Sequence, residues 1–291
     1  MTALPPPPDL RADRWTQPSG MVFRVVTYGR NAPPEADTLL LVHHGIGEHA
    51  GRYTTWIHDL ELPVPAMGYD ARGHGHSAGV KGDADGLDQL VDDLHGLIPR
   101  FLEASGTQRV VLYAHSMGGA VVARYLTSGT VHDAVAGVMF SAPAVAVQRT
   151  VEMAIKERLG RIAKRLLPEL VISTGLDANG ISSDPAQVQA YLDDPLVHDK
   201  VSLRLADSLL SEAPEAIDAA GRATVPAWIL HGEDDPLIPL AGSRALAAGW
   251  GGGATLRTFA GRHELHHERA ELREQVRVAA REGLLELLGP S

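Results

Sequence analysis

The stretch AHSMGG, residues 114–119, sets one serine between two opposed patterns. Before it, RVVLY (109–113) is a short apolar run of strand-forming residues; after it, AVVARYL (120–126) reads as a helix. A strand that turns straight into a helix leaves little room at the turn, and Ala114, Gly118 and Gly119 are all small. This is the GxSxG elbow with alanine in place of the first glycine. It presents the Ser116 hydroxyl as a candidate nucleophile. The plainer reading is a glycine turn between any strand and helix, so the motif has to be judged by what accompanies it.

The rest of the chain repeats the alternation. Strand patterns near 22–28, 38–43, 64–69, 109–113, 134–140, 227–231 and 256–259 are separated by helical ones. This predicts an α/β fold with a mostly parallel central sheet covered by helices on both faces. Residues 83–105 form a clear amphipathic helix, with Leu87, Leu90, Val91, Leu94, Leu97 and Ile98 as its apolar stripe. The alternation stops between about 145 and 222, where helical patterns dominate and no strand stands out. The expected organisation is a proline-rich arm (1–20) lying extended on the surface, a first core part (21–144), a helical cap (145–222) and a second core part (223–291).

A serine hydroxyl near neutral pH needs a histidine to take its proton and a carboxylate to orient that histidine. In strand-elbow-helix hydrolases both follow the serine, each in a loop after a later strand. VPAWILHGEDDPLIP (225–239) and LRTFAGRHELHHE (256–268) are such strands and loops. Asp235 is the better placed orienter and Asp234 the alternative; Pro236 disfavours helical geometry at Asp235. His263 stands nearest its strand end, while His266 and His267 are expected in the following helix, solvated. Charge developing on a substrate carbonyl would need preplaced amide donors. Met117 supplies one, and Ile46, between Gly45 and Gly47 after the apolar strand TLLLVH, supplies the second.

His263, Glu264 and His267 also spell HExxH, a zinc-binding pattern in metalloproteases, for which Glu282 or Glu286 could be the further ligand. There the histidines lie one turn apart inside a helix, whereas here the motif begins at a helix entrance. A zinc site would also leave the elbow, the HGIG turn and the Asp235 loop unexplained.

With 44% hydrophobic and 21% charged residues among 291, the chain has the makeup of an ordinary globular protein. Its formal charge of −10 argues against nucleic acid as the main partner, and having no cysteine excludes disulfides, thiolate metal sites and thiol nucleophiles. No secretory leader or membrane-length apolar run is recognisable, so a cytoplasmic location is expected. In the cap segment, Val151, Ile155, Leu159, Ile162 and Leu166 share a helical face, with Lys156, Arg158, Arg161, Lys164 and Arg165 elsewhere. Such a helix suits peripheral contact with an anionic membrane; a cap helix with a solvated basic face is the simpler alternative.

The motifs HHGIGEHAGRY (43–53), YDARGHGHS (69–77), AHSMGG, HGEDD (231–235), HELHHE (263–268) and the cap segment SSDPAQVQAYLDDPLV (182–197) resemble the monoacylglycerol lipase and lysophospholipase family of the α/β-hydrolase fold. The resemblance covers nearly everything after the proline-rich lead. It implies a triad of Ser116, Asp235 and His263, an oxyanion hole from the Ile46 and Met117 amides, Glu48 and Arg52 near the polar head group, glycerol monoesters as substrates, and no cofactor or metal. Departures are the short segment 57–70, the bulky Ile46, Ala114, and the histidines 266 and 267 where the family often has an apolar residue and asparagine. A broader carboxylesterase or thioesterase on the same triad, and a noncatalytic binding protein on the same fold, are the alternative readings.

Overall fold

Among the described residues ten strands order the chain: β1 (Leu10–Thr16), β2 (Val22–Tyr28), β3 (Thr38–His43), β4 (Ala66–Tyr69), β5 (Arg109–His115), β6 (Val135–Ser141), β7 (Val171–Ser173), β8 (Lys200–Ser202), β9 (Ala227–Gly232) and β10 (Ala254–Phe259). They come from a computed structural model in which residues 10–29, 35–146 and 167–289 are described. Eight form one sheet in the order β1-β2-β4-β3-β5-β6-β9-β10. From β4 to β10 every pairing is parallel; β2 alone runs the opposite way, pairing antiparallel with both β1 and β4.

The helices are α1 (Thr54–Asp59), α2 (Gly86–Ser105), α3 (Met117–Thr127), α4 (Pro185–Asp193), α5 (Leu203–Ser211), α6 (Glu215–Asp218), α7 (Leu240–Gly249) and α8 (Ala270–Leu288). Side chains alternate across a strand, so an apolar run such as Leu39–Val42 must feed two cores. Leu39 and Leu41 join Leu94, Leu97 and Phe101 of α2, Val122 and Leu126 of α3, and Leu246 of α7 on one face. Leu40 and Val42 join Trp56 of α1 and Val276, Ala280 and Leu284 of α8 on the other. The continuous apolar strands of the sequence are therefore the signature of a sheet covered on both sides.

Two elements depart from expectation. The proline-rich lead was expected to lie extended on the surface without joining the sheet; its residues 10–16 do lie extended and mostly exposed, but as an edge strand paired with β2 from Leu10↔Tyr28 to Thr16↔Val22. Its solvent-facing Arg11, Asp13 and Arg14 hide the strand pattern, and charges of this kind guard a sheet edge. Trp15 anchors it, with its ring 4.7 Å from that of Phe101. Within the segment expected to be helical, β7 and β8 form a two-stranded antiparallel sheet, three residues each and too short to show a periodicity. The basic pattern at 151–166 lies outside the described residues.

β3 and β5 are neighbours, yet the chain leaves β3 toward β4 on one side and β5 toward β6 on the other. Loops leaving the carboxyl ends of strands at such a reversal diverge and open a crevice, which is where open α/β sheets bind ligands. The HGIG turn follows β3 and Ser116 follows β5, so both border that crevice.

Candidate active site

Ser116 is the sole residue between β5 and α3. Its φ of 51° and ψ of −118° are rare outside glycine and need a surround that over-determines them. Part of that surround is Gly118: a Cβ there would lie 2.5 Å from the carbonyl oxygens of both His43 and His44. The first position of the motif is different. Ala114 is still in β5, paired with His43 and Phe140, and its methyl is buried in the core, so glycine is not required. Met117 opens α3, where a backbone N–H has no carbonyl one turn back to bind.

Three groups distant in sequence converge on the elbow. His263 Nε2 lies 2.9 Å from Ser116 Oγ, and His263 Nδ1 lies 2.7 Å from Asp235 Oδ2. With Nδ1 donating to the carboxylate, Nε2 is left to accept the serine proton. Asp235 Oδ1 accepts the amides of Leu237 and Ile238 at 2.8 and 2.9 Å, which fixes the carboxylate plane. Asp234 is exposed, and its amide is bound to the Gly261 carbonyl. Burial would raise the Asp235 pKa, but the facing His263 and the two amides outweigh it and hold the carboxyl below its usual range. Burial alone would lower His263; the Asp235 charge and hydrogen bond reverse this, with Glu264 and Glu48 adding to the rise.

The turn after β3 is built as tightly. His44 Nδ1 donates to the Gly45 carbonyl at 2.7 Å while its Nε2 accepts the Ala71 amide at 2.8 Å, so the ring is locked as one neutral tautomer. In a trans peptide the carbonyl and the following N–H point opposite ways, so holding the Gly45 oxygen aims the Ile46 amide. On the other side, the Gly45 amide donates to Glu48 Oε1 at 2.6 Å. Gly47 has φ +73°, and a Cβ there would sit 2.2 Å from the His198 carbonyl oxygen, so the segment after α4 closes directly over this turn.

Glu48 and Arg52 stand beside the turn with their polar atoms engaged. Glu48 Oε1 also accepts the Tyr53 hydroxyl at 2.7 Å, and Oε2 accepts Arg52 at 2.6 Å. The guanidinium then spans both oxygens of Glu264 at 2.8 and 2.7 Å, beneath the Tyr191 ring of α4. Burial raises the two carboxyl pKa values and lowers that of Arg52, but mutual attraction wins: both carboxyls are held below their usual range and Arg52 above its own.

The HExxH reading is overturned. His263 is committed to Asp235 and Ser116, Leu265–His267 is a single 3-10 turn, and α8 begins only at Ala270. Glu282 and Glu286 lie exposed on α8. Glu264, His266 and His267 do bring ligand atoms within 4.8 Å of one another. Arg52 already supplies the countercharge there. His266 is also corrected: it is buried rather than solvated, stacked on Tyr53 at 4.9 Å and 21°, and neither ring nitrogen has a hydrogen-bond partner among the described residues. Burial and the nearby histidines push its pKa well below the usual value, and that of His115 falls, chiefly by burial, to about 4. Glu264 entered the sequence reading through HExxH and HELHHE without a role in the triad site, and its pairing with Arg52, 212 positions away, left no local signal.

An elbow serine, a strand-end histidine and a strand-end aspartate on a mostly parallel sheet define the class as a serine hydrolase of the α/β-hydrolase fold. Residues 34–270 match the family described as Serine aminopeptidase, S33 (Hydrolase_4), and the chain belongs to that family. It is 32% identical to the monoacylglycerol lipase of Mycolicibacterium smegmatis over 73% of this chain and 76% of that protein. It is 33% identical to an uncharacterized abhydrolase domain-containing protein of Dictyostelium discoideum over 67% of this chain, a match spanning only 20% of that larger protein. The crystal structure of Paleococcus ferrophilus monoacylglycerol lipase superposes with a TM-score of 0.77 at 29% identity, covering 96% of this chain and 99% of that one.

Proposed function

We propose that this chain cleaves carboxylic esters of lipid type, monoacylglycerols foremost, through an acyl-enzyme on Ser116. The observation that carries the reading is the unbroken hydrogen-bonded path from Ser116 through His263 to Asp235 at 2.9 and 2.7 Å. It is supported by the similarity to the M. smegmatis monoacylglycerol lipase. Ser116 Oγ attacks the ester carbonyl as His263 Nε2 takes its proton, and Asp235 stabilises the imidazolium that forms. The oxyanion meets the Ile46 and Met117 amides. The alcohol leaves as Nε2 returns the proton, and water repeats the sequence to free the acid.

The path is complete without a metal, so a chelator is expected to leave activity unchanged. Leu167, Leu170, Ile172, Leu176 and Leu192, all in the segment between β6 and β9, are large apolar side chains open to solvent. They suit a cap that touches a lipid surface while the substrate enters. Among the described residues no helix is long and apolar enough to cross a membrane.

The test is hydrolysis of esters graded in acyl length and head group. Monoacylglycerols should give the highest kcat/KM, and Ser116→Ala or His263→Ala should lower turnover by roughly 10⁴-fold or more. Equal turnover across simple esters and thioesters would replace the lipase reading with a broader esterase. Near-normal activity in either variant would remove the nucleophile assignment altogether.

A further inference from the structure

Glu268 is a buried carboxylate that the ester chemistry above leaves unused, only 2% exposed. Its partners are uncharged donors. Oε1 accepts the Arg262 amide at 2.7 Å, both oxygens accept the Ser183 amide at 3.2 and 3.1 Å, Oε2 also accepts the Ser183 hydroxyl, and the Arg269 amide lies at 3.4 Å. One of these donors is the amide immediately before His263, and two belong to the segment leading into α4. The carboxylate thus ties the loop that carries the imidazole to a segment 85 positions earlier.

The surroundings extend the same contact. The Glu264 amide donates to the Ile181 carbonyl at 2.7 Å, and the Ser182 hydroxyl donates to the His267 carbonyl at 2.8 Å. The Arg262 guanidinium reaches the Asn179 carbonyl at 2.5 Å, and Arg269 Nε reaches that of Ser183 at 3.1 Å. Gly180 also packs on Pro236 and Leu237, so closely that a Cβ there would come within 3.0 Å of each. Residues 179–183 therefore form a wedge between the loop holding Asp235 and the loop holding His263.

We propose that Glu268 is a positioning residue: with Ser183 it clamps this wedge against residues 262–268 and so holds the His263 ring between Asp235 and Ser116. This rests on the reading of Ser116 as nucleophile and His263 as base. The physical reason is donor count. The carboxylate satisfies four converging donors, whereas glutamine offers one acceptor oxygen and turns two N–H donors on them, so either Ser183 or Arg262 must be released. The released loop carries His263, and misplacing a catalytic group by about 1 Å can cost up to about 10²-fold in rate.

The experiment compares Glu268→Gln, Ser183→Ala and the double variant with the unaltered chain, each checked for folding by thermal melting. Three quantities are read: the rate at which a fluorophosphonate labels Ser116, kcat and KM on a monoester, and the low-field proton resonance of His263 Nδ1–H. Each single variant should label, and turn over, about tenfold more slowly with KM within about twofold. The double variant should be no more than about threefold worse than either single, because both break one clamp. The His263 resonance should shift or broaden in all three. Folded variants with unaltered labelling and resonance, or losses that multiply in the double, would overturn the clamp. Should Glu268→Gln fail to fold, Ser183→Ala decides alone. If the unaltered chain fails to label at Ser116, the hydrolase reading is what fails, and the resonance still reports on the clamp.

Discussion

Replacing Arg52 by methionine keeps the bulk of the side chain and removes the guanidinium that bridges two carboxylates whose side chains are 3% and 4% exposed, leaving Glu264 with only the His267 ring at 2.7 Å. Each carboxylate loses hydrogen bonds of 2.6–2.8 Å, and the two now repel. Stranding a buried charge in this way costs about 3–5 kcal/mol. Taking about 2–4 °C per kcal/mol for a chain approaching this size, that is roughly 6–20 °C in Tm near pH 8. The pH dependence should also reverse sign. In the unaltered chain Glu48 and Glu264 are held below their usual range, so their contribution is present above the unfolded carboxyl value of about 4.3 and is lost as pH falls through the lowered folded values. Without Arg52, burial and mutual repulsion raise both. The variant should then approach the parent at pH 5 and fall away from it between pH 5 and 8. Urea titrations of both chains at the two pH values measure this. A loss below about 1 kcal/mol, or one equal at pH 5 and 8, would refute the argument that these carboxylates are buried charges balanced by Arg52.

Other outcomes follow from the same geometry. Asp235→Asn should lower kcat about 10³–10⁴-fold, whereas exposed Asp234→Asn should stay within about threefold; steady-state kinetics on one monoester reads both. Because His263 must be neutral to act and its pKa is raised, the acid limb of the kcat/KM profile should lie above 6.5, with activity rising as pH increases through it. Glu264→Gln removes one cause of that rise and should move the limb to lower pH. Gly118→Ala should fail to give active, folded protein, since its methyl has no space against the His43 and His44 carbonyls; circular dichroism and an esterase assay check this.

How far the sequence discloses this arrangement depends on the range of each interaction. Strands β3, β5, β6 and β9 were legible within a few residues because burial on both faces writes an apolar run into each, while β2 and β10, less buried, were legible from their β-branched and aromatic residues between turns. The elbow was legible because its sterics are local. Ser116, Asp235 and His263 could be paired by residue type and strand-end position. β1 was not legible, since its exposed charges erase the alternation and its partner lies after a turn. The segment 57–70, short in the sequence, contains part of the six-residue α1 and the four-residue β4, two residues shorter than the strand pattern at 64–69. Nothing in LHHE announces that His266 is buried against Tyr53, or that Glu268 faces Ser183, because those facts belong to contacts 85 or more positions apart. The arginine that occupies the would-be metal position is equally remote in sequence.

The central claim is that Ser116, activated by His263, is the group acylated during ester cleavage. The most direct measurement is peptide mass spectrometry of the protein after brief acid quenching during turnover of a monoacylglycerol. The account predicts an acyl mass on the peptide containing Ser116 that vanishes in Ser116→Ala. Steady hydrolysis with no such adduct under conditions where deacylation is slowed, or an adduct on another residue, would contradict it.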